Sequence, residues 1–339
     1  MKPLKINLIL LALASTLVAQ TATAENSVYG KGHVSVASIE DANGKASAIS
    51  SHSSRFGVKG NLSQEGSTQV FYKIEWQVDI SDVSKDSSST SIDLTAPGSA
   101  ETKTSHHFKS RNQYIGLKDS WGELRLGRDD SPYKKAGKKA VEFFSDTYAD
   151  YNSIVDKGQD VRADSSMSYS VKLGSGKISL MRATGNDTTT AANAGDMTSF
   201  AYDAKFGALT LGLATQKKYL ADTNYETGTK LVLGFKLAKA TKLGLLHETV
   251  SDDLTLDDNN TLISIKHNIG RDAVKLVYGS KSHVSAEDDT MTALAYDHKL
   301  TKAATVYALY ASSTNDGLKD SGGLSGDATV IAGGLVVTF

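Results

Sequence analysis

Apolar and polar residues alternate with a period of two along most of the chain. From Gln69 to Ile80 the even positions are Val70, Tyr72, Ile74, Trp76, Val78 and Ile80, while the odd ones include Gln69, Lys73, Glu75, Gln77 and Asp79. Arg162 to Leu173 repeats this, with Met167, Tyr169, Val171 and Leu173 opposite Arg162, Asp164, Ser166, Ser168, Ser170 and Lys172. In Lys230 to Ala238, Leu231, Leu233, Phe235 and Leu237 alternate with Lys230, Val232, Gly234, Lys236 and Ala238. Successive side chains of a strand point to opposite faces, so each segment reads as a β-strand with one wet and one apolar face. Sixteen strands are expected. They are Val28 to Ile39, Ser51 to Leu62, Thr68 to Ile80, His107 to Lys118, Gly122 to Arg128, Arg162 to Leu173, Lys177 to Thr184 and Thr198 to Phe206. The series continues with Ala208 to Lys217, Thr227 to Leu237, Thr241 to Val250, Asn260 to Asn268, Asp272 to Lys281, Thr290 to Lys299, Ala303 to Ser312 and Asp327 to Phe339. Alternation is weak in Lys177 to Thr184 and in the segment carrying Arg111.

A β-sandwich also alternates, so the period alone does not separate a soluble fold from a membrane barrel. Connection lengths do. Long connections are expected at Glu40 to Ser50, Ser81 to His106, Asp129 to Val161, Gly185 to Met197, Lys218 to Glu226, Ser251 to Asp258, Ser282 to Asp289 and Ser313 to Gly326. Short ones centre on Glu65-Gly66, Asp119-Ser120, Ser175-Gly176, Gly207, Lys239-Ala240, Gly270-Arg271 and Thr301-Lys302. Long and short alternate in order, which places both termini at the short-turn end. That asymmetry is the signature of an all-β transmembrane barrel with tight turns at one end and loops at the other. Sixteen antiparallel strands enclose a lumen too wide for side chains to fill, so the interior is expected to be an aqueous channel.

Composition agrees. Of the three prolines, Pro3 lies near the start and Pro97 and Pro132 in expected loops, out of any strand ladder. Met1 to Lys5 carries two lysines, Leu8 to Val18 is apolar, and Ala22-Thr23-Ala24 supplies small residues, the pattern of an export signal over residues 1–24. The apolar run is about half of the ~20 residues a spanning helix needs. A barrel domain over residues 25–339 would then begin at Glu25. Cysteine is absent, so no disulfide forms. Without Lys2 and Lys5 the 37 basic residues fall to 35 against 38 acidic, too even for a nucleic-acid partner. His106-His107 has no third ligand at useful spacing, and Asp252-Asp253 and Asp257-Asp258 read as hydrated loop tips, so neither a metal site nor a cofactor is expected.

Several short motifs fall in one order along the chain: Val28-Tyr29-Gly30-Lys31, Ser54-Arg55-Phe56-Gly57-Val58-Lys59-Gly60, Arg111 through Gly116-Leu117-Lys118, Gly122 through Arg128, and a terminal Phe339. Together they resemble the trimeric general diffusion porins of Gram-negative outer membranes over nearly all of residues 25–339. The resemblance implies a homotrimer, latched by the second loop and set among outer-membrane lipid and lipopolysaccharide. Its water-filled channels would pass ions and small hydrophilic solutes. It also implies that the third loop folds into the barrel, its acids facing basic residues on the wall. By position the wall residues are Lys31, Arg55, Arg111 and Arg162, and the loop match is Glu142-Phe143 with Asp146-Thr147. Phe339 corresponds to the terminal aromatic read as an assembly signal. Opposed charges across a constriction create a transverse field that sets ion preference. Two departures stand out. Phe144-Ser145 replaces a glycine pair, and Lys134, Lys135, Lys138 and Lys139 stand where a further acid is typical, so weak selectivity or a tilt toward anions is expected.

Other functions remain open at this point. A substrate-specific channel for an anion, phosphate or sugar would line its path with aromatics, and the third loop carries Tyr133, Phe143, Phe144, Tyr148 and Tyr151. An outer-membrane enzyme would need a catalytic constellation, and no Gly-x-Ser-x-Gly elbow is present. An exported sandwich or adhesin is the third alternative.

Overall fold

The computed structural model describes residues 25–62, 67–81, 88–92, 100–104, 108–155, 158–185, 195–220, 224–252, 258–283, 287–315, 317–318, 324 and 326–339. The expected export signal, His106-His107, Asp253, Asp257 and the turn at Glu65-Gly66 lie outside the described residues. In chain order the strands are β1 (Glu25–Asp41), β2 (Gly44–Ser51), β3 (Arg55–Leu62), β4 (Gln69–Val78), β5 (Ser88–Ile92), β6 (Ala100–Thr104), β7 (Phe108–Asp119), β8 (Gly122–Asp130), β9 (Arg162–Leu173) and β10 (Gly176–Ala183). They continue as β11 (Met197–Phe206), β12 (Leu209–Tyr219), β13 (Tyr225–Lys236), β14 (Thr241–Asp252), β15 (Asp258–Ile269), β16 (Asp272–Ser282), β17 (Asp289–Lys299), β18 (Ala304–Thr314) and β19 (Ala328–Thr338).

All but β5 and β6 belong to one antiparallel sheet, and β1 pairs with β19 from Lys31 opposite Thr338 to Glu40 opposite Thr329, closing it into a cylinder. The backbone carries the seam one residue further, Gly30 N–H donating to the Phe339 carbonyl at 3.0 Å and Phe339 N–H returning to the Gly30 carbonyl at 3.2 Å. β2 pairs with the upper part of β1 and β3 with the lower part, so they are two halves of one stave and the barrel has sixteen. Between them Ser53 takes a left-handed φ of 51°, and the gap is bridged by Ser54, whose Oγ accepts from His33 N–H at 2.9 Å. β5 and β6 form a separate hairpin within the second long connection.

The expected long connection from Glu40 to Ser50 is corrected by the structure. Asp41 opposes Gly44, the turn is the pair Ala42-Asn43, and β2 extends the sheet where a loop was expected. The local chemistry explains it, since Asp41 Oδ1 accepts Asn43 N–H at 2.8 Å and Gly44 supplies a φ of 111°. The Arg111 segment alternates badly because of a bulge. Opposite Glu75 the register jumps, so Arg111 and Asn112 both turn to the lumen.

Large apolar residues such as Val36, Leu213, Leu231, Ile263, Leu276 and Ile331 are exposed on the outer face. Residues of the opposite parity, among them Ser35, Ala214, Val232, Leu262, Val277 and Val330, are buried inside. Among the described residues no helix is long and apolar enough to cross a membrane. At the seam Phe339, on the outer parity, lies over Gly30, where a built Cβ would stand 2.2 Å from the tip of its ring. Gly30→Leu therefore unseats the ring, an overpacking cost of about 1–3 kcal/mol. The expected result is a lower unfolding midpoint of the refolded barrel, measured by heat-modifiable migration in detergent gels.

Candidate pore constriction

The segment after β8 is written to turn repeatedly. Ser131 Oγ accepts Lys134 N–H at 3.1 Å to start a short helix, Pro132–Lys135, whose first position suits a proline. Gly137, at φ 60°, breaks it and begins a second, Lys138–Val141, and a Cβ on Gly137 would stand 2.4 Å from the Cβ of Val232. Asp146 is left-handed at φ 56°, and Asp150 accepts Asn152 N–H at 3.0 Å to cap the 3-10 turn Tyr151–Ser153.

This loop lies against the inner wall of β11–β16. Tyr133 N–H donates to Ser199 Oγ at 3.0 Å, Tyr133 OH to Glu248 at 2.8 Å, Gly137 N–H to Asp203 at 2.8 Å, and Ser264 Oγ to the Val141 carbonyl at 2.8 Å. The wall yields space through glycine. A Cβ on Gly212 would meet Gly137 N at 2.6 Å, and one on Gly244 would meet the Ala140 carbonyl oxygen at 2.2 Å. Elsewhere the wall offers apolar surface, with Val232, Leu246, Leu262, Val277 and Met291 in one buried cluster with Val141, Phe144, Tyr148, Tyr151 and Ile154. The loop aromatics are thus anchors in the wall. Phe144, at the glycine-pair position, is 2% exposed, with the Lys275 ammonium 5.0 Å from its ring centroid.

At its tip the loop reaches the seam. Asp146 accepts from Lys31 Nζ at 2.7 Å and Arg55 Nη1 at 3.1 Å, and Tyr148 OH lies 3.0 Å from Ser50 Oγ. The other wall arginines face elsewhere. Arg111 binds Glu75 at 2.7 Å and Gln77 at 3.0 Å, while Arg162 pairs with Asp130 at 3.0 Å and with Asn112. Three of the four loop lysines are matched by acids, Lys134 by Asp160 at 3.0 Å, Lys135 by Asp129 at 2.6 Å and Lys138 by Glu142 at 3.1 Å. Lys139 is exposed and, among the described residues, has no carboxylate within ion-pair distance. Asp146 serves two cations at once.

Burial pushes the Asp146 carboxyl up, but Lys31 and Arg55 outweigh it and hold the group at about 2. Glu142 goes the other way. Burial and the nearby Asp150 charge raise it to about 7 against the pull of Lys138. Asp160 is buried too, yet Lys134, Lys230 and Lys138 keep it below the usual carboxylate range.

Of the residues expected at the constriction, Lys31, Arg55 and Asp146 are in one contact and Lys138 and Glu142 in another, while Arg111, Arg162, Lys134 and Lys135 each join an acid absent from the expected set. Glu75, Asp129, Asp130 and Asp160 were missed, as were Gly212 and Gly244. One signal could have found the loop's seat. Val232, Leu246, Leu262 and Val277 are apolar on the inward parity, which water would disfavour unless something covers them.

A closed sixteen-stranded cylinder narrowed by a loop seated in its own lumen defines a channel protein. A sequence profile of the Gram-negative porin family matches residues 9–318. No curated protein sequence matches the chain. Among solved structures, an anion-selective porin from Comamonas acidovorans is similar at 19% identity and TM-score 0.75, over 93% of this chain and 100% of that one. OmpT of Vibrio cholerae in its trimer form matches at 17% identity and TM-score 0.65, over 94% and 100%. OmpF of Salmonella typhi in complex with daunomycin matches at 12% identity and TM-score 0.67, over 93% and 97%. The chain belongs to the Gram-negative porin family. It is an integral outer-membrane β-barrel that forms a water-filled channel for passive diffusion.

The glycine seat gives a direct test. Gly244→Val must push the Ala140 carbonyl away, and the expected outcome is a folded barrel with larger, noisier single-channel conductance in planar bilayers.

Proposed function

We propose that this porin passes small hydrophilic solutes through a constriction bounded by the third loop and the basic wall, with a weak preference for anions. The observation that carries this is the pairing pattern: seven of the eight basic residues expected there have acid partners, Asp146 is shared by two, and Lys139 has none among the described residues. Paired charges give little net field, so selectivity is slight and rests on the surplus. One similar structure is of an anion-selective porin, which supports the direction. A substrate-specific channel is less well supported, because Tyr133, Phe144, Tyr148 and Tyr151 are buried against the wall. No catalytic role is proposed. The working unit is a homotrimer, in keeping with the trimer form among similar structures. It sits among outer-membrane lipid and lipopolysaccharide after loss of residues 1–24, with Phe339 as its assembly signal.

Reversal potentials under a salt gradient test the proposal. Slight anion preference is expected for the wild type, moving toward cations in Lys139→Glu; strong cation selectivity of the wild type would overturn it. The shift should be clear at 0.1 M salt, where the Debye length is about 10 Å, and largely lost at 1 M, where it is about 3 Å.

Glu142 adds a pH dependence. Its carboxyl is raised to about 7, so it is ionised above that pH and neutral below. Each pore therefore gains positive charge as pH falls, and anion preference should strengthen between about pH 8 and pH 6. In Glu142→Gln this step should be absent from the reversal potential.

A further inference from the structure

A second group of side chains lies on the inner wall near the short-turn end, away from the constriction, around a cavity of about 450 Å³. That volume falls in the range of small-molecule sites. Phe71, Tyr114, Lys59, Lys73 and Arg125 line it together with the acids Glu25 and Glu123, and Tyr29 stands beside the two lysines. The Arg125 guanidinium is 4.6 Å from the Tyr114 ring centroid and 5.9 Å from that of Phe71, and the Lys59 and Lys73 ammoniums lie 5.2 and 5.6 Å from that of Tyr29.

Two rings are seated by the wall. A Cβ on Gly57 would stand 2.6 Å from the Tyr29 hydroxyl, and one on Gly116 would stand 2.3 Å from Phe71 Cζ. Glycine at these two inward positions lets each ring press against the sheet, and Tyr29 is pinned further by its 2.8 Å bond to Glu75. Phe71 and Tyr114 meet edge to face at 6.2 Å. The platform is therefore preformed, which lowers the ordering cost of binding a flat guest.

The charges show what kind of guest. Lys73 is matched by Glu75 at 3.2 Å and Arg125 by Glu123 at 2.6 Å and Asp129 at 2.9 Å. Lys59 is exposed and, among the described residues, has no carboxylate partner. A fixed aromatic platform beside an ammonium without an ion-pair partner is complementary to a planar ring that bears one carboxylate, the ring stacking on Tyr114 and the carboxylate meeting Lys59.

We propose that the short-turn mouth of the channel holds a weak binding subsite for small aromatic carboxylates, formed by Phe71, Tyr114, Lys59, Lys73 and Arg125. It rests on the channel reading above, because the cavity opens into that lumen. The subsite would retain such solutes at one end of their path and give them a saturable component of flux that acetate lacks.

The test is ion current through the full-length protein in a planar bilayer, with benzoate, acetate or benzyl alcohol added separately to each side in constant KCl. Benzoate is expected to reduce the current saturably, with half-effect at about 1–10 mM, more strongly from the short-turn side. Acetate and benzyl alcohol should not saturate. Lys59→Gln should weaken the benzoate effect about fivefold, and Tyr114→Leu should remove the difference between benzoate and acetate, both with KCl conductance retained. If benzoate and acetate act alike on the wild type, or saturation survives in both variants, the subsite is overturned. Absence of any KCl conductance from folded wild type would instead overturn the channel reading.

Discussion

Every peptide N–H and C=O at membrane depth must find a partner within the protein, because hydrocarbon offers none. For a sheet the only complete solution is closure, and here it depends on one antiparallel pair, β1 with β19, ended by the reciprocal bonds of Gly30 and Phe339. The break between β2 and β3 shows how strict the demand is. Where Ser53 turns left-handed and the ladder lapses, the Ser54 hydroxyl takes the place of a backbone acceptor for His33 N–H, while the His33 carbonyl still accepts His52 N–H at 2.9 Å.

Closure creates a lumen, and the two sides of that lumen are built differently. Along β11–β16 the wall presents glycines and apolar side chains interspersed with buried polar groups such as Ser199, Glu248 and Ser264, and is covered by the loop. From β3 to β9 it is lined by arginines, lysines and acids in ion pairs. The loop therefore displaces water from one side and concentrates charge on the other. A charge change on the lined side alters the field met by solutes, whereas a change of volume on the covered side alters where the loop lies.

Much of this was legible in the chain. The period of two and the sorting of connections by length gave strand count, direction and closure, since both follow directly from lipid on one face and water on the other. Glu40 to Ser50 misled because Lys45, Ser47 and Ser50 look like a polar loop, yet Asp41 and Gly44 suffice for a two-residue turn and β2 pairs along β1 from there. Arg111 and Asn112 were obscured by a bulge, which breaks parity without a composition signal. The residues resembling a constriction were found by position, but their partners were not. Asp129, Asp130 and Asp160 lie near the roots of the loop, and nothing in their spacing says which lysine folds back to meet each one. Phe144 stands out in the sequence only as a departure from a glycine pair, and its role as an anchor follows from Lys275 and the apolar cluster around it.

The seating of the loop also bears on the order in which the molecule can assemble. Tyr133 meets Ser199 and Glu248 across 66 and 115 residues, and Ser264 meets Val141 across 123. The seam joins Lys31 to Thr338, nearly the ends of the chain. Loop-closure entropy grows with separation, so the shorter contacts form at smaller entropic cost. By separation the seam is the costliest of these contacts to close, and the strand it brings in carries Lys31 to Asp146. Closing the cylinder and tying the loop's tip to the wall are therefore one event at β1, since the same strand makes the seam with β19 and the ion pair with Asp146.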